Sequence, residues 1–443
     1  MEGSLTSAAG LMLSCRQVES DDEKAPHIPS PAFTLGQVGT FDVENYGDLL
    51  YPVVLRRILE RRGARVRLLP YSNLDGDAPL AAGFKTRALR ELFDANRPQP
   101  RAVLVGGGDI LRTDKELVAE HYRVAQDGRP GELLRTLGTT GLLQYLVRRR
   151  LPPPRASNFY AARFNDRWMS QPGPGPFLID REDLPGAPPV CYLSCGVPHE
   201  FSTAERERVA DTFDKADFIY LRDEQSRAKL LRAGVHAPIR VAPDLIVTLE
   251  DFFPRETEAR RGRDILSRCG VDVTRPVLCF QCKPHTGFSP EEVVGQLALY
   301  RERTGAEVAL LPLGYCHGDQ LFLSEVAKKA EGAFKLVGVG SVYDMLAVIA
   351  AGSIFVGTSM HGNITALSYG LPHLYGPLAV DKAEGFLSGA DLPDALKLRS
   401  WSELNDRIDF AFELGPDFFA GRARAAKEKV YRAVDELLAV VPN

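Results

Sequence analysis

The stretch SIFVGTSMHGNITALSYGLPHL, residues 353–374, restricts the possible folds more than any other part of the chain. Ile354, Phe355 and Val356 form an apolar run of strand type. Residues 357–362 form a loop of mostly small residues, and residues 364–369 show helical spacing up to a stop at Gly370 and Pro372. Buried strand, sharp loop and helix in that order is the building unit of an α/β fold. It places His361 at a helix start, where unpaired N–H groups favour an anion and an imidazole exchanges protons near neutral pH. The plainer reading is a turn in which the histidine only caps the backbone.

The same unit recurs along the chain. Phe33 to Val38 is a strand pattern, 39–47 a polar loop, and Leu49, Leu50, Val53, Val54, Ile58 and Leu59 repeat with helical spacing up to Gly63, after which 65–69 resumes as a strand. Such a βαβ opening implies a parallel sheet whose strand C-termini form the binding edge. The strand at 102–105 runs into Gly106, Gly107, Gly108 and Asp109, where glycines let a ligand approach the backbone. A strand at 218–221 delivers Arg222 to the sheet edge, the alternative being a surface ion pair with Asp223 or Glu224. Strands at 277–281, 308–311 and 334–336 then alternate with helices at 291–304, 320–330 and 342–351.

A chain of 443 residues exceeds what one hydrophobic core normally holds. The expected class is α/β, with two doubly wound, Rossmann-like domains facing each other across a cleft. Residues 1–32 read as a poorly ordered leader, 33–250 as the first domain with a long excursion over 112–189, and 263–400 as the second domain. Between the domains, residues 250–263 read as a charged bridge of weak pattern, and 401–443 as C-terminal helices that pack back on the first domain. Within the excursion a helix is expected near 133–147, and Arg148, Arg149 and Arg150 read as a solvated helix end.

Net charge is −4, which supplies no general attraction to nucleic acid or anionic membranes, so cationic sites must be local. No apolar run approaches the roughly 18 residues of a membrane-spanning helix. The N-terminus lacks a basic n-region and a signal-length apolar core, so the expected location is cytoplasmic. The seven cysteines are expected to be reduced, and Cys279 and Cys282, spaced as CxxC without a second pair, read as packed thiols.

There is no Walker A sequence, no complete G-x-G-x-x-G at a first strand turn, no H-E-x-x-H and no G-x-S-x-G. What remains is a set of strand-end loops: Asn45 and Asp48, Gly106 to Asp109, Arg222, Ser359 with His361, and Lys382. Cations to hold a small polyanion, a histidine to move a proton and a carboxylate to activate a hydroxyl suit group transfer.

Taken together, GTFDVENYGDLL at 39–50, VLVGGGDIL at 103–111, ADFIYLRDEQSRAKLLRAGV at 216–235, VAPDLIVTL at 241–249 and GTSMHGNITALSYGLPHL at 357–374 resemble the ordered landmarks of the polysaccharide pyruvyltransferases. The resemblance implies a GT-B-like fold with the acceptor on the first domain and the donor on the second. It implies transfer of the pyruvyl group of phosphoenolpyruvate to hydroxyls of a sugar or glycan precursor, forming a ketal and releasing phosphate. Asp48, Arg222 and His361 are then the expected catalytic residues and Lys382 a binding cation. Ser359, Gly362, Asn363, Asn45, Gly107, Gly108 and Asp109 are the expected substrate-binding neighbours. The scheme calls for no metal and no cofactor, with phosphoenolpyruvate as co-substrate, and for a sugar or glycan acceptor but no nucleic acid or transmembrane segment; a homo-oligomer is compatible with it.

Ser359 departs from the arginine that many members carry two residues before the histidine. A charge-assisted bond is roughly twice as strong as a neutral one, so either Lys283, Arg112 or Lys382 compensates or the donor differs. The alternatives are a GT-B glycosyltransferase with a nucleotide-sugar donor and a non-catalytic relative that binds a glycan or metabolite.

Overall fold

The computed structural model describes residues 33–113, 175, 177–284, 289–377 and 382–441. The expected leader, the helix near 133–147 and the basic run at 148–150 lie outside the described residues. Two sheets organise the chain. The first has eight strands in the order β3-β4-β2-β1-β5-β6-β7-β8. These are β1 (Phe33–Val38), β2 (Val66–Ser72), β3 (Gly76–Asp77), β4 (Lys85–Ala88), β5 (Ala102–Gly106), β6 (Val190–Cys195), β7 (Phe218–Leu221) and β8 (Arg240–Val241). All pair in parallel except the short β3–β4 edge, which the sequence pattern did not announce. The second sheet is fully parallel, ordered β11-β10-β9-β12-β13. Its members are β9 (Val277–Gln281), β10 (Glu307–Leu310), β11 (Lys335–Leu336), β12 (Ile354–Gly357) and β13 (His373–Tyr375).

The central strands are buried and mostly apolar because helices cover both faces of a parallel sheet. VCYLSC in β6 and VLCFQ in β9 are buried at every position. Register brings the strand ends level: Val38 lies opposite Tyr71 and Val105, and Gly357 opposite Gln281 and Tyr375. The loops that carry the expected site residues therefore leave the two sheets along two edges.

Ten helices are described: α1 (Tyr46–Arg61), α2 (Thr203–Asp214), α3 (Glu224–Arg232), α4 (Arg255–Arg268), α5 (Pro290–Thr304), α6 (Asp319–Lys329), α7 (Val342–Ala351), α8 (Met360–Ser368), α9 (Lys382–Gly389) and α10 (Leu404–Val440). Lys382, read on a strand-end loop, is the first residue of α9, and two further helices differ from the sequence reading. The segment read as a charged bridge is helix α4, whose many charges face solvent while Ala259, Ile265 and Leu266 are buried. Gly262 lets it pack on α7 so closely that a Cβ there would run into the carbonyl of Ala347. Helix α8 begins at Met360, earlier than its apolar spacing suggests, because the Ser359 hydroxyl caps it by accepting from Gly362 N–H at 3.2 Å.

One hydrophobic core runs through both halves. It passes from Leu49, Val54 and Ile58 on α1, through Leu245, Ile246 and Leu249 of a 3₁₀ segment, to the second sheet, while a separate core lies under the other face of the first sheet. Helix α10 reinforces the connection. Its first part binds α5, with Arg303 forked onto Asp409 at 2.9 Å. After a kink at Gly415 and Pro416 the rest reaches the first half, where Lys427 binds Asp251 at the end of the 3₁₀ segment at 2.7 Å and Tyr220 of β7 donates to Glu436 at 2.9 Å.

Candidate active site

The C-terminal strand ends of both sheets open into one cleft of about 190 Å³. Among its lining residues are Thr40, Asn45, Asp48, Gly108, Asp109 and Arg222 from the first half and Gln281, Lys283, Asp319, Ser359, His361 and Lys382 from the second. This is the crevice position in which α/β sheets bind ligands.

Loop pairing across the cleft fixes the two walls. Asn45 forms an antiparallel bridge with Gly314, Tyr46 N–H donates to Leu313 carbonyl at 3.0 Å, and the Tyr46 hydroxyl meets Thr365 Oγ1 at 2.9 Å. The start of α1 is thereby pressed against the start of α8. Gly47 lies so close to the His361 ring that a Cβ there would overlap it. Asn45 caps α1 by accepting from Gly47 N–H at 3.3 Å, and its amide approaches His317 Nε2 at 3.4 Å.

His361 is nearly buried, with Nε2 3.5 Å from the Asp244 carboxylate. Asp244 is itself fixed, because its other oxygen accepts from Ile246 N–H at 3.0 Å. Asp48 is buried and accepts from the Thr40 hydroxyl at 2.9 Å. Burial raises the Asp48 pKa above the usual carboxylate value, although His361, Thr40, Lys382 and Arg222 pull against that rise.

Arg222 is buried, contrary to the surface-pair alternative. It binds Asp109, and its Nε lies 3.5 Å from Asp223. Lys382 binds Asp109 as well, so one carboxylate links two cations from opposite walls. Burial alone would raise the Asp109 pKa, but Arg222, Lys382 and His361 outweigh it and hold the carboxylate well below its usual range. Gly196 leaves room for this cluster, since a Cβ there would strike both Asp109 and Arg222. Gly108, at φ 75°, serves similarly: a Cβ would come within 2.9 Å of Asp48 Oδ1.

Three expected substrate neighbours have other partners. Gly107 lies against the Tyr51 ring and Gly362 against Phe355. The Asn363 amide donates to the carbonyls of Gly357 and Ser359 at 2.9 Å each, which makes it a brace of the α8 cap. Conversely, Asp244, Gln281 and Asp319 were absent from the sequence reading of the site. The Gln281 side-chain Oε1 accepts from Ser359 N–H at 2.7 Å and its Nε2 donates to Asp319 at 2.7 Å. A polar residue at the end of the otherwise apolar run VLCF was the available signal for Gln281, and Pro-Asp after β8 the one for Asp244.

Cys279 and Cys282 are buried free thiols, and among the described residues no group of three or more His, Cys, Asp and Glu is placed to hold a metal ion. No helix among the described residues is long and apolar enough to cross a membrane.

Comparison with known structures places the fold in the GT-B arrangement of two Rossmann-like halves. The structure of Anabaena HepE in complex with UDP-glucose superposes with a TM-score of 0.51 at 10% identity, covering 92% of this chain and 99% of that one. A UDP-N-acetylglucosamine 2-epimerase described as putative, from Listeria monocytogenes, gives 0.50 at 13% identity over 92% and 95%. No curated protein matches the chain. The profile of the polysaccharide pyruvyl transferase family matches residues 45–375, a span that runs from the cap of α1 to the end of β13 and contains most of the cleft. The chain therefore belongs to the polysaccharide pyruvyl transferase family.

Proposed function

We propose that the protein transfers the pyruvyl group of phosphoenolpyruvate to two hydroxyls of a sugar or glycan precursor, making a cyclic ketal and releasing phosphate. The observation that carries this reading is the convergence of His361, Asp48, Arg222 and Lys382, from both sheets, on one cleft. A proton donor, a carboxylate base and fixed cations are what the chemistry of an enol phosphate requires.

Protonation of the methylene carbon makes the middle carbon of phosphoenolpyruvate electrophilic. Asp244 on Nε2 orients the imidazole and leaves Nδ1, beside Gly47, to give that proton. Asp48 accepts the proton of the first attacking hydroxyl, a task favoured by its raised pKa. The second hydroxyl attacks the same carbon and returns its proton to the imidazole, while the departing phosphate takes the proton held by Asp48. Arg222 and Lys382, each with donors beyond those used on Asp109, hold the donor's carboxylate.

Incubation with phosphoenolpyruvate and candidate sugars should release inorganic phosphate. His361→Ala should lower turnover by about 10²- to 10⁴-fold, the usual worth of a general acid. Turnover like that of the wild type in this variant would remove the proton-donor role.

A second reading, transfer from a nucleotide sugar, is favoured by the UDP-glucose bound to the structural neighbour HepE. Thermal shift separates the two: at about 100 times Kd the true donor stabilises by about 2.7 kcal/mol, and UDP or GDP is compared with phosphoenolpyruvate at equal concentration.

A further inference from the structure

The cations of the cleft are unequally committed. Arg222 and Lys382 both bind Asp109, and Arg112 Nη2 lies 3.0 Å from His199 Nε2. Lys283 differs from all three. Its ammonium has no hydrogen-bond or ion-pair partner among the described residues, although the side chain lines the cleft and is half-buried. Keeping a cation partly out of water without an acceptor is unfavourable, so such a group is found where an anion will meet it.

Its position is fixed by the backbone. Lys283 follows the end of β9, and its N–H donates to Thr358 Oγ1 at 3.2 Å, tying it to the turn that starts α8. The neighbouring Ser359 hydroxyl already accepts from Gly362 N–H and brings no charge. Burial and the nearby Lys382 pull the Lys283 pKa down, against Asp319 and Asp109, which raise it; a second anion beside the ammonium would relieve that strain.

We propose that Lys283 is a phosphate-binding residue of the cleft, supplying the charge that Ser359 cannot. The identity of the phosphate's owner rests on the donor reading above, whereas the assignment of Lys283 does not.

The test is isothermal titration of wild type, Lys283→Gln and Lys283→Arg with inorganic phosphate, phosphoenolpyruvate and UDP, after unfolding curves have shown that the variants fold. The expected result is that Lys283→Gln weakens inorganic phosphate at least fivefold and that Lys283→Arg restores most of the affinity. A loss smaller than fivefold, or a wild type that binds no phosphate ligand, overturns the assignment. If wild type binds inorganic phosphate and UDP through Lys283 but not phosphoenolpyruvate, the assignment stands and the pyruvyl donor falls. If it binds phosphoenolpyruvate equally well with and without the lysine, the donor stands and the assignment falls.

Discussion

A single methyl group at Gly47 would occupy the place of the His361 ring. Gly47→Ala should therefore push the imidazole off Asp244, costing about 1–3 kcal/mol of stability as an overpacked site. Turnover should fall about 100-fold, as expected when a catalytic group is misplaced by about 1 Å. Phosphate-release kinetics beside a melting curve check both figures, and unchanged turnover would show that ring position does not limit the reaction. The residue scale also shows what a sequence conveys. Asp48, Arg222 and His361 stand at strand ends or helix starts, so local pattern was enough to bring them into view. Gly47 owes its importance to one imidazole far along the chain, and no local period records such a contact.

The loop between β10 and α6 is governed by the first residue of the helix. Asp319 accepts from Leu313 N–H at 3.1 Å, Gly314 N–H at 2.8 Å and the Gln281 amide, which shapes the very loop that bridges to Asn45. Burial pushes its pKa up to about 6 from 3.8, despite these bonds and Lys283. The folded state thus holds the proton more tightly than the unfolded chain, and stability falls as pH rises from about 4 to about 6, by about 3 kcal/mol in total. Asp319→Asn should remove this slope, so urea unfolding across that pH range should show the wild type losing ground to the variant; parallel curves would refute the assignment. At this scale the alternation of strand and helix was readable, because central strands and amphipathic helices have different apolar periods. Helix α4 was missed because its charged face outnumbers the apolar one. The start of α8 was missed because a side-chain cap, rather than apolar spacing, sets it.

At the scale of the molecule, the two halves share a core and a kinked helix, and neither feature follows from the pattern of any one segment. The kink depends on Gly415, at φ 76° and ψ 164°, a conformation open essentially to glycine alone. Gly415→Ala should cost about 1–3 kcal/mol. If the kink also sets how the halves meet, the loss should come with weaker ligand binding, read by thermal shift with and without phosphoenolpyruvate. Binding that is unaffected would assign the kink to stability alone.

Helix α10 has a bearing on the order of assembly. Its residues leave the ribosome after those of both sheets, and Phe419, Val430, Val434 and Leu437 are all buried in the common core. Domains generally fold as they emerge, N-terminal first. A nascent chain that forms each sheet early therefore keeps an apolar seam open until this helix is translated.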